Sequence, residues 1–219
     1  MNTKSTTLFL EGSLYFYWLI GLNLMFLSTN LILTLALIFL RLTPENSFYF
    51  LLGVIPTGPS ISAMFACFNK ISREKDISLF RDYLKFYKKT FKKSIKIWVI
   101  SCVLVYIIIL NINLLLDTTI IALLMPAYVI LVAFIISITI AVFYLFSKAD
   151  ANSVVDIIKK SMYFSVKRSH ISLCNVVIFL LWFFVIFIRP LLGIVIMPSI
   201  IIFLMSKNTE FVFTHKPMN

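Results

Sequence analysis

Charge is scarce in this chain. Only 13% of its 219 residues are Asp, Glu, Lys or Arg, about half the share of a soluble domain. With 61% hydrophobic residues and a mean hydropathy of +1.00, a soluble fold would have to bury nearly everything it has. Lipid is the simpler solvent. Cysteine is also sparse. Cys67, Cys102 and Cys174 are odd in number and widely spaced, which excludes a disulfide framework and a zinc pattern, so buried free thiols are expected. His170 and His215 are too far apart for a metal cluster. No phosphate-cradling glycine loop, H-E-x-x-H or G-x-S-x-G occurs. These gaps leave no cofactor or metal to expect and no enzyme.

What the chain does have is long uncharged apolar runs. About 20 residues at a rise of about 1.5 Å each cross a hydrocarbon core. Six runs qualify as spans: 14–40, 48–68, 97–116, 120–146, 171–188 and the short 191–205. The first is too long for a signal-peptide core, no small-x-small cleavage site follows it, and it reads as a retained anchor. No Asp, Glu, Lys or Arg lies inside any run. Intramembrane acids and histidines mark proton pathways, so their absence argues against a proton-driven pump.

The charges sort between the runs. If the runs alternate in direction, 18 of the 20 basic residues fall on one side, and only Arg41 and Arg189 on the other. The positive-inside rule places the loaded side in the cytoplasm, with both termini. The expected fold is therefore all-α: one integral membrane domain, 1–219, of about six spans in three hairpins. The same sorting explains the net charge of +11 without nucleic acid as a partner.

Two cytoplasmic stretches have helical amphipathicity. In 76–93 the apolar stripe is Ile77, Phe80, Leu84, Tyr87 and Phe91, at steps of three and four. Lys85, Lys88, Lys89, Lys92 and Lys93 flank it, and Asp76 is the expected N-cap. In 152–168 the stripe is Val155, Ile158, Met162 and Val166, beside Lys159, Lys160, Lys167 and Arg168. An aromatic face with a lysine-rich remainder suits the anionic inner leaflet. A partner protein docking helix-in-groove uses the same spacing, so the candidate docking face is Ile77, Phe80, Leu84, Tyr87, Phe91, Lys88 and Lys92 for either.

Each inward run holds a proline: Pro56 (with Pro59), Pro126 and Pro198, at intervals of 70 and 72 residues. The spacing predicts a threefold hairpin repeat with the prolines at similar depth. At Pro56, Thr57, Gly58 and Pro59 the second span is expected to break and restart at Pro59. Broken spans can present helix termini to a substrate. The rival reading is a structural kink whose freed carbonyls are satisfied by Ser60, Ser62 or the first span, with the asparagines of the spans as packing glue rather than a pore lining. Asn23 and Asn30, seven apart on the first span, share a face and join this candidate site. Asn111 and Asn113 lie near the outer end of the third.

The segment 53–94 resembles the YesL-like family of bacterial membrane proteins. The resemblance rests on Pro56, Ala63-Met64-Phe65, Lys70, Asp76, Phe80 and the run Tyr87-Lys88-Lys89-Thr90-Phe91-Lys92-Lys93. The chain departs from that pattern at Thr57-Gly58-Pro59-Ser60 and at Lys75-Asp76. The resemblance implies no defined activity and no binding residues. It implies association with carbohydrate-uptake gene clusters of Gram-positive bacteria, beside ATP-powered importers. The expectation is a non-enzymatic accessory or scaffold for such an importer, with permease or ATPase subunits as partners. The alternative is an independent small-solute transporter or channel with its path at the broken second span.

Overall fold

The computed structural model describes residues 3–215 except 42, 75–76, 117 and 149–152, and side chains from 12 to 210 apart from that of Pro44. The expected N-cap Asp76 and the start of the second amphipathic stretch lie outside the described residues. The described chain is helical and has no strand. Ten α-helices follow in order: α1 Thr3–Thr29, α2 Leu31–Phe39, α3 Ser47–Val54, α4 Thr57–Glu74, α5 Leu79–Leu115, α6 Ile120–Lys148, α7 Val154–Lys167, α8 Ser169–Ile188, α9 Pro190–Val195 and α10 Met197–His215. Four helical stretches are long and apolar enough to cross a membrane: Ser47–Glu74 taken through its break, Leu79–Leu115, Ile120–Lys148 and Ser169–Ile188. A bent pair, Gly12–Thr29 with Leu31–Phe39, makes a fifth if it is one span. The run 191–205 is not among them. It is divided between α9 and α10 at Ile196, and α10 carries Lys207 and Glu210.

The run 14–40 is not one straight helix. The chain turns by 83° between α1 and α2, with neither proline nor glycine at the corner. Ser28, Thr29 and Asn30 supply the cause. Their side chains donate back to the carbonyls of Leu24, Met25 and Phe26 at 2.8, 3.0 and 2.9 Å. Three consecutive side chains thus bond back to carbonyls of the last turn, that of Phe26 already accepting the Asn30 amide at 3.0 Å, and such back-bonding bends and weakens a helix inside an apolar run.

The stretch 76–93 is not a separate surface helix. From Leu79 on it is the first two-fifths of α5, 37 residues long and about 55 Å, which continues without interruption into the run 97–116. Lysines at one end and an apolar run at the other therefore share one axis. The buried face is also rotated from the expected stripe. Tyr83, Thr90, Ser94 and Trp98 are buried, whereas Phe80 is exposed and Leu84, Tyr87 and Phe91 are half-buried. The reason is the partner. α4 presents Gly58, Ser62 and Ala66, small residues one turn apart, and small residues let membrane helices approach closely. A Cβ on Gly58 would lie 2.5 Å from Trp98, so the two backbones meet there.

The α4–α5 register is antiparallel. Gly58 meets Trp98, and Lys70 meets Asp82. The centre of run 48–68 thus lies opposite the start of run 97–116, a stagger of about 13 Å. The halves of α5 and α6 next to their connection project beyond the rest of the bundle. Between 99 and 116 only Ile108 is buried among the described residues, and in α6 burial begins at Ser137.

The prolines do not share one height. Pro56 lies at the α3–α4 break, level with Asn30, and Pro198 at the α9–α10 break, level with Asn23. That separates them by about 10 Å along α1. Pro126 sits inside an unbroken α6, about 20 Å beyond Thr139, which shares a 2.7 Å hydrogen bond with Ser101. The hairpin order repeats; the depth of the prolines does not.

The lysine-bearing ends converge. Asn69 bonds Ser147, joining α4 to α6. Ser72 donates to Glu210 at 3.1 Å and accepts from Lys207 at 2.8 Å, joining α4 to α10. Asn175 donates to Thr209 at 2.9 Å, joining α8 to α10. These contacts define one basic end of the bundle. α7 packs there through Ile157, Ser161, Phe164 and Ser165. It leaves Val155, Met162 and Val166 exposed. Of the cysteines, Cys67 is buried, Cys102 half-buried and Cys174 exposed, so only one fits the expected burial. Cys174 lies on the outward face of α8, beside exposed Leu173 and Val177.

Candidate functional site

The α3–α4 stretch breaks as its prolines require, but earlier than expected. α3 ends at Val54 and α4 begins at Thr57, with Pro59 in its first turn. A proline there costs nothing, since those amides have no intrahelical partner.

Asn30 fills the break. Its amide donates to Ser60 Oγ at 2.9 Å and to the Phe26 carbonyl at 2.9 Å, and its oxygen accepts from Thr57 at 3.1 Å. Ser60 donates to the Pro56 carbonyl at 2.8 Å. Thr29 shares hydrogen bonds with Ser60 at 3.0 Å and Tyr83 Oη at 2.9 Å. Counting hydrogens closes the network. Asn30 has two to give and gives both, Thr57 gives its one to Asn30, and Ser60 and Tyr83 each have an acceptor. The Val54 carbonyl, at the end of α3, accepts from Trp98 Nε1 at 2.8 Å.

The α9–α10 stretch repeats the device. Asn23 donates to the Val195 carbonyl and accepts the Ser199 amide at 3.2 Å, spanning the α9–α10 break. Trp182 Nε1 donates to the Gly193 carbonyl at 2.7 Å. One asparagine, Asn30 just past α1 or Asn23 within it, and one tryptophan of a neighbouring helix, Trp98 of α5 or Trp182 of α8, thus serve each break. The asparagines were visible in the sequence. The tryptophans were not, although their placement on α5 and α8, early in one apolar run and late in the other, was the available signal.

The broken-helix site therefore holds its own polar groups. Thr57, Gly58, Pro59, Ser60, Asn23 and Asn30 are all buried, and Pro56 is half-buried. The side-chain donors of this network are given to acceptors within it. The expected packing-glue role of Asn23 and Asn30 matches this geometry. Asn111 bonds only the Ile107 carbonyl of its own helix, at 2.8 Å.

A second polar centre lies at the basic end. Lys70 Nζ stands 2.7 Å from Asp82 Oδ2 and 3.7 Å from Glu74. Asp82 also accepts the Ser78 amide at 3.0 Å, closing the start of α5 where Ser78 is the N-cap residue. Both charges lie outside the apolar runs. Burial by itself pushes the Asp82 carboxyl up, but the Lys70 ammonium and the Ser78 amide outweigh it and hold it below the ordinary carboxylate value.

The candidate docking face is only partly free. Ile77 is buried, and Leu84 and Tyr87 pack on the core. Tyr87 and Phe91, rings 5.4 Å apart, border a shallow groove of about 400 Å³ with Lys88, Lys89, Lys92 and Lys93. Phe80 stands exposed one turn or more beyond it. A second groove, of about 260 Å³, lies at the other end between α2 and Tyr49 and is lined by apolar residues such as Ile32, Ala36 and Phe39. Among the described residues no group of three or more His, Cys, Asp and Glu could hold a metal.

No curated protein and no solved structure matches the chain. A family model described as a protein of unknown function, DUF624, matches residues 19–112, from α1 to the end of α5, and the YesL-like proteins belong to that family.

Proposed function

We propose that this chain is a multi-pass protein of the bacterial cytoplasmic membrane, with its basic end in the cytoplasm. It serves there as a non-enzymatic accessory or scaffold subunit of an ATP-powered carbohydrate importer. The observation that carries this reading is where the polar groups are used. The polar side chains of the helix breaks are consumed in holding the breaks. Those left facing outward are the lysines of the basic end, beside an aromatic groove. Such a chain is built to hold a partner rather than to turn over a substrate. The positive-inside distribution supplies the orientation, and the resemblance to YesL-like proteins supplies the importer.

Purification from native membranes in mild detergent, with mass spectrometry of what accompanies the chain, tests it. Permease or ATPase subunits at comparable stoichiometry are the expected result. A homo-oligomer with no partner overturns it. If deletion abolishes uptake while importer abundance is unchanged, the role is regulation rather than assembly.

A further inference from the structure

α1 and α2 cannot both stand upright in a bilayer, because the chain turns by 83° between them. Their contacts decide which of the two does. α2 doubles back on α3 through the connection 40–46, and a Cβ on Gly53 of α3 would lie 2.7 Å from the Leu33 backbone of α2. α3 carries on through its break into α4, and Ser47–Glu74 is one of the stretches that can cross a membrane. α2 therefore follows the axis of a crossing stretch, and α1 stands almost square to it.

α1 also touches its neighbours as a transverse helix does. Between Tyr15 and Thr29 it meets α10 at Phe203, α5 at Leu79, the α9–α10 break at Ser199, α8 at Trp182 and α4 at Ser60. An upright helix shares its length with a few neighbours; α1 meets a different one nearly every turn. Its depth follows from α2. From the corner at Asn30, α2 rises about 13 Å toward Arg41, Glu45 and Asn46, less than half of a hydrocarbon core of about 30 Å. The corner, and α1 with it, thus lies in the half of the bilayer on the basic side. No charged residue occurs between Glu11 and Arg41. Phe16, Tyr17, Ile20 and Leu24, which α1 turns away from the bundle, are all exposed.

We infer that α1 is a strap rather than a span: it lies across the bundle within the basic-side half of the bilayer, and Phe16, Tyr17, Ile20 and Leu24 rest against acyl chains there. The strap brings Asn23 to the α9–α10 break, and the corner at its end brings Asn30 to the α3–α4 break, so both breaks are held from one leaflet. α1 takes this place only if the chain is a membrane protein with its basic end in the cytoplasm, as proposed above, whatever its partner.

Power saturation of nitroxide labels, with oxygen and a water-soluble nickel chelate as relaxants, measures depth in the full-length chain in liposomes. The labels go on Tyr17→Cys, Leu24→Cys, Val177→Cys and Phe184→Cys, each in a Cys67→Ala/Cys102→Ala/Cys174→Ala background. All four positions are exposed. Each pair spans about 10 Å of helix rise, and α8 is an uninterrupted crossing stretch that serves as the ruler. With α2 and α8 tilted by about 20° from the normal, the α8 pair should differ in depth by about 10 Å and the α1 pair by at most about 5 Å. Both α1 labels should also collide freely with oxygen. A depth difference on α1 equal to that on α8 makes α1 a span and overturns the inference. Poor oxygen collision at Tyr17 and Leu24 overturns it too, because protein rather than lipid would then cover that face. Dominant nickel collision at all four positions refutes the membrane reading itself. Should a labelled variant fail to accumulate, Ser13→Cys with Ile20→Cys gives the same rise on another pair of exposed positions.

Discussion

Replacing Asn30 by leucine should weaken the fold in a way that a second substitution can diagnose. Asn30 makes two bonds between helices, to Ser60 and from Thr57. Its third, to the Phe26 carbonyl, matters less, because that oxygen also accepts the Asn30 amide at 3.0 Å. Interhelical hydrogen bonds in membrane proteins contribute about 0.6 kcal/mol on average and up to about 1.7. A buried hydroxyl left without its acceptor adds about 1–3 kcal/mol. Here the hydroxyl is that of Thr57; Ser60 keeps the Pro56 carbonyl. Two such bonds and one orphaned hydroxyl make Asn30→Leu cost about 2–4 kcal/mol. Thr57→Val removes the orphaned hydroxyl, so the double variant should cost less than the sum of the two by about 0.6–1.7 kcal/mol. Reversible unfolding in mixed micelles, followed by far-UV circular dichroism, measures all four corners of the cycle. Asn111→Leu is the control. Its side chain is exposed and bonds only its own helix, so it should stay within about 0.5 kcal/mol of the parent. If Asn30→Leu behaves like Asn111→Leu, or if Asn30→Leu and Thr57→Val add, the network is not holding the break.

Three further outcomes follow from local geometry. A Cβ at Gly53 would meet the Leu33 backbone at 2.7–2.8 Å, whereas one at Gly21 would meet only the mobile tip of Leu79. Gly53→Ala should cost about 1–3 kcal/mol and Gly21→Ala clearly less, in the same unfolding assay. Asp82 has its carboxyl held below the usual value, so its ionised form stabilises the fold above about pH 5. That contribution is lost as the pH falls through the ordinary value of about 3.9 toward the lower folded one. The parent should therefore lose stability in that window, and Asp82→Asn should be less stable at pH 7 with a flatter acid limb. On α7, spin labels at Val155, Met162 and Val166 in reconstituted liposomes should show high collision with oxygen and low collision with a water-soluble nickel chelate. The reverse pattern would mean that the exposed stripe faces water.

Much of the architecture was legible because uncharged runs announce themselves. Five of the six runs correspond to stretches that can cross a membrane once the bent pair is taken as one. The corner at Asn30 was missed because it lacks proline and glycine. Its cause is a polar triplet, Ser28-Thr29-Asn30, whose effect shows only when all three side chains are seen turning back to the helix. The continuity of α5 was missed for a different reason. An amphipathic pattern and an apolar run obey different solvents, and each looked complete alone, yet no residue between Lys93 and Trp98 ends a helix. Periodicity found the wrong face of the stem because it follows large apolar residues. α4 meets α5 through glycine and serine, and the facing positions of α5 are accordingly Thr90 and Ser94. Lys70 and Asp82, 12 residues apart across a turn, carry no local pattern at all.

In lipid there is no hydrophobic force to press one helix on another, because lipid tails are as apolar as leucine. What remains is close packing and the few polar bonds that cross between helices, and here both asparagine pins come from α1 and the corner that ends it. That concentration permits a test of whether α1 acts as one unit or as two independent clasps. Asn23 serves Val195 and Ser199 on the third hairpin, and Asn30 serves Thr57 and Ser60 on the first. The two share no partner and lie about 10 Å apart along the helix. Sites so separated add within about 0.5 kcal/mol. The Asn23→Leu/Asn30→Leu double variant should therefore lose the sum of the two single losses, unlike the Asn30 and Thr57 pair. A double variant no worse than either single one would mean that losing one pin already releases α1 from both hairpins. The breaks would then be coupled through the helix rather than clasped one by one.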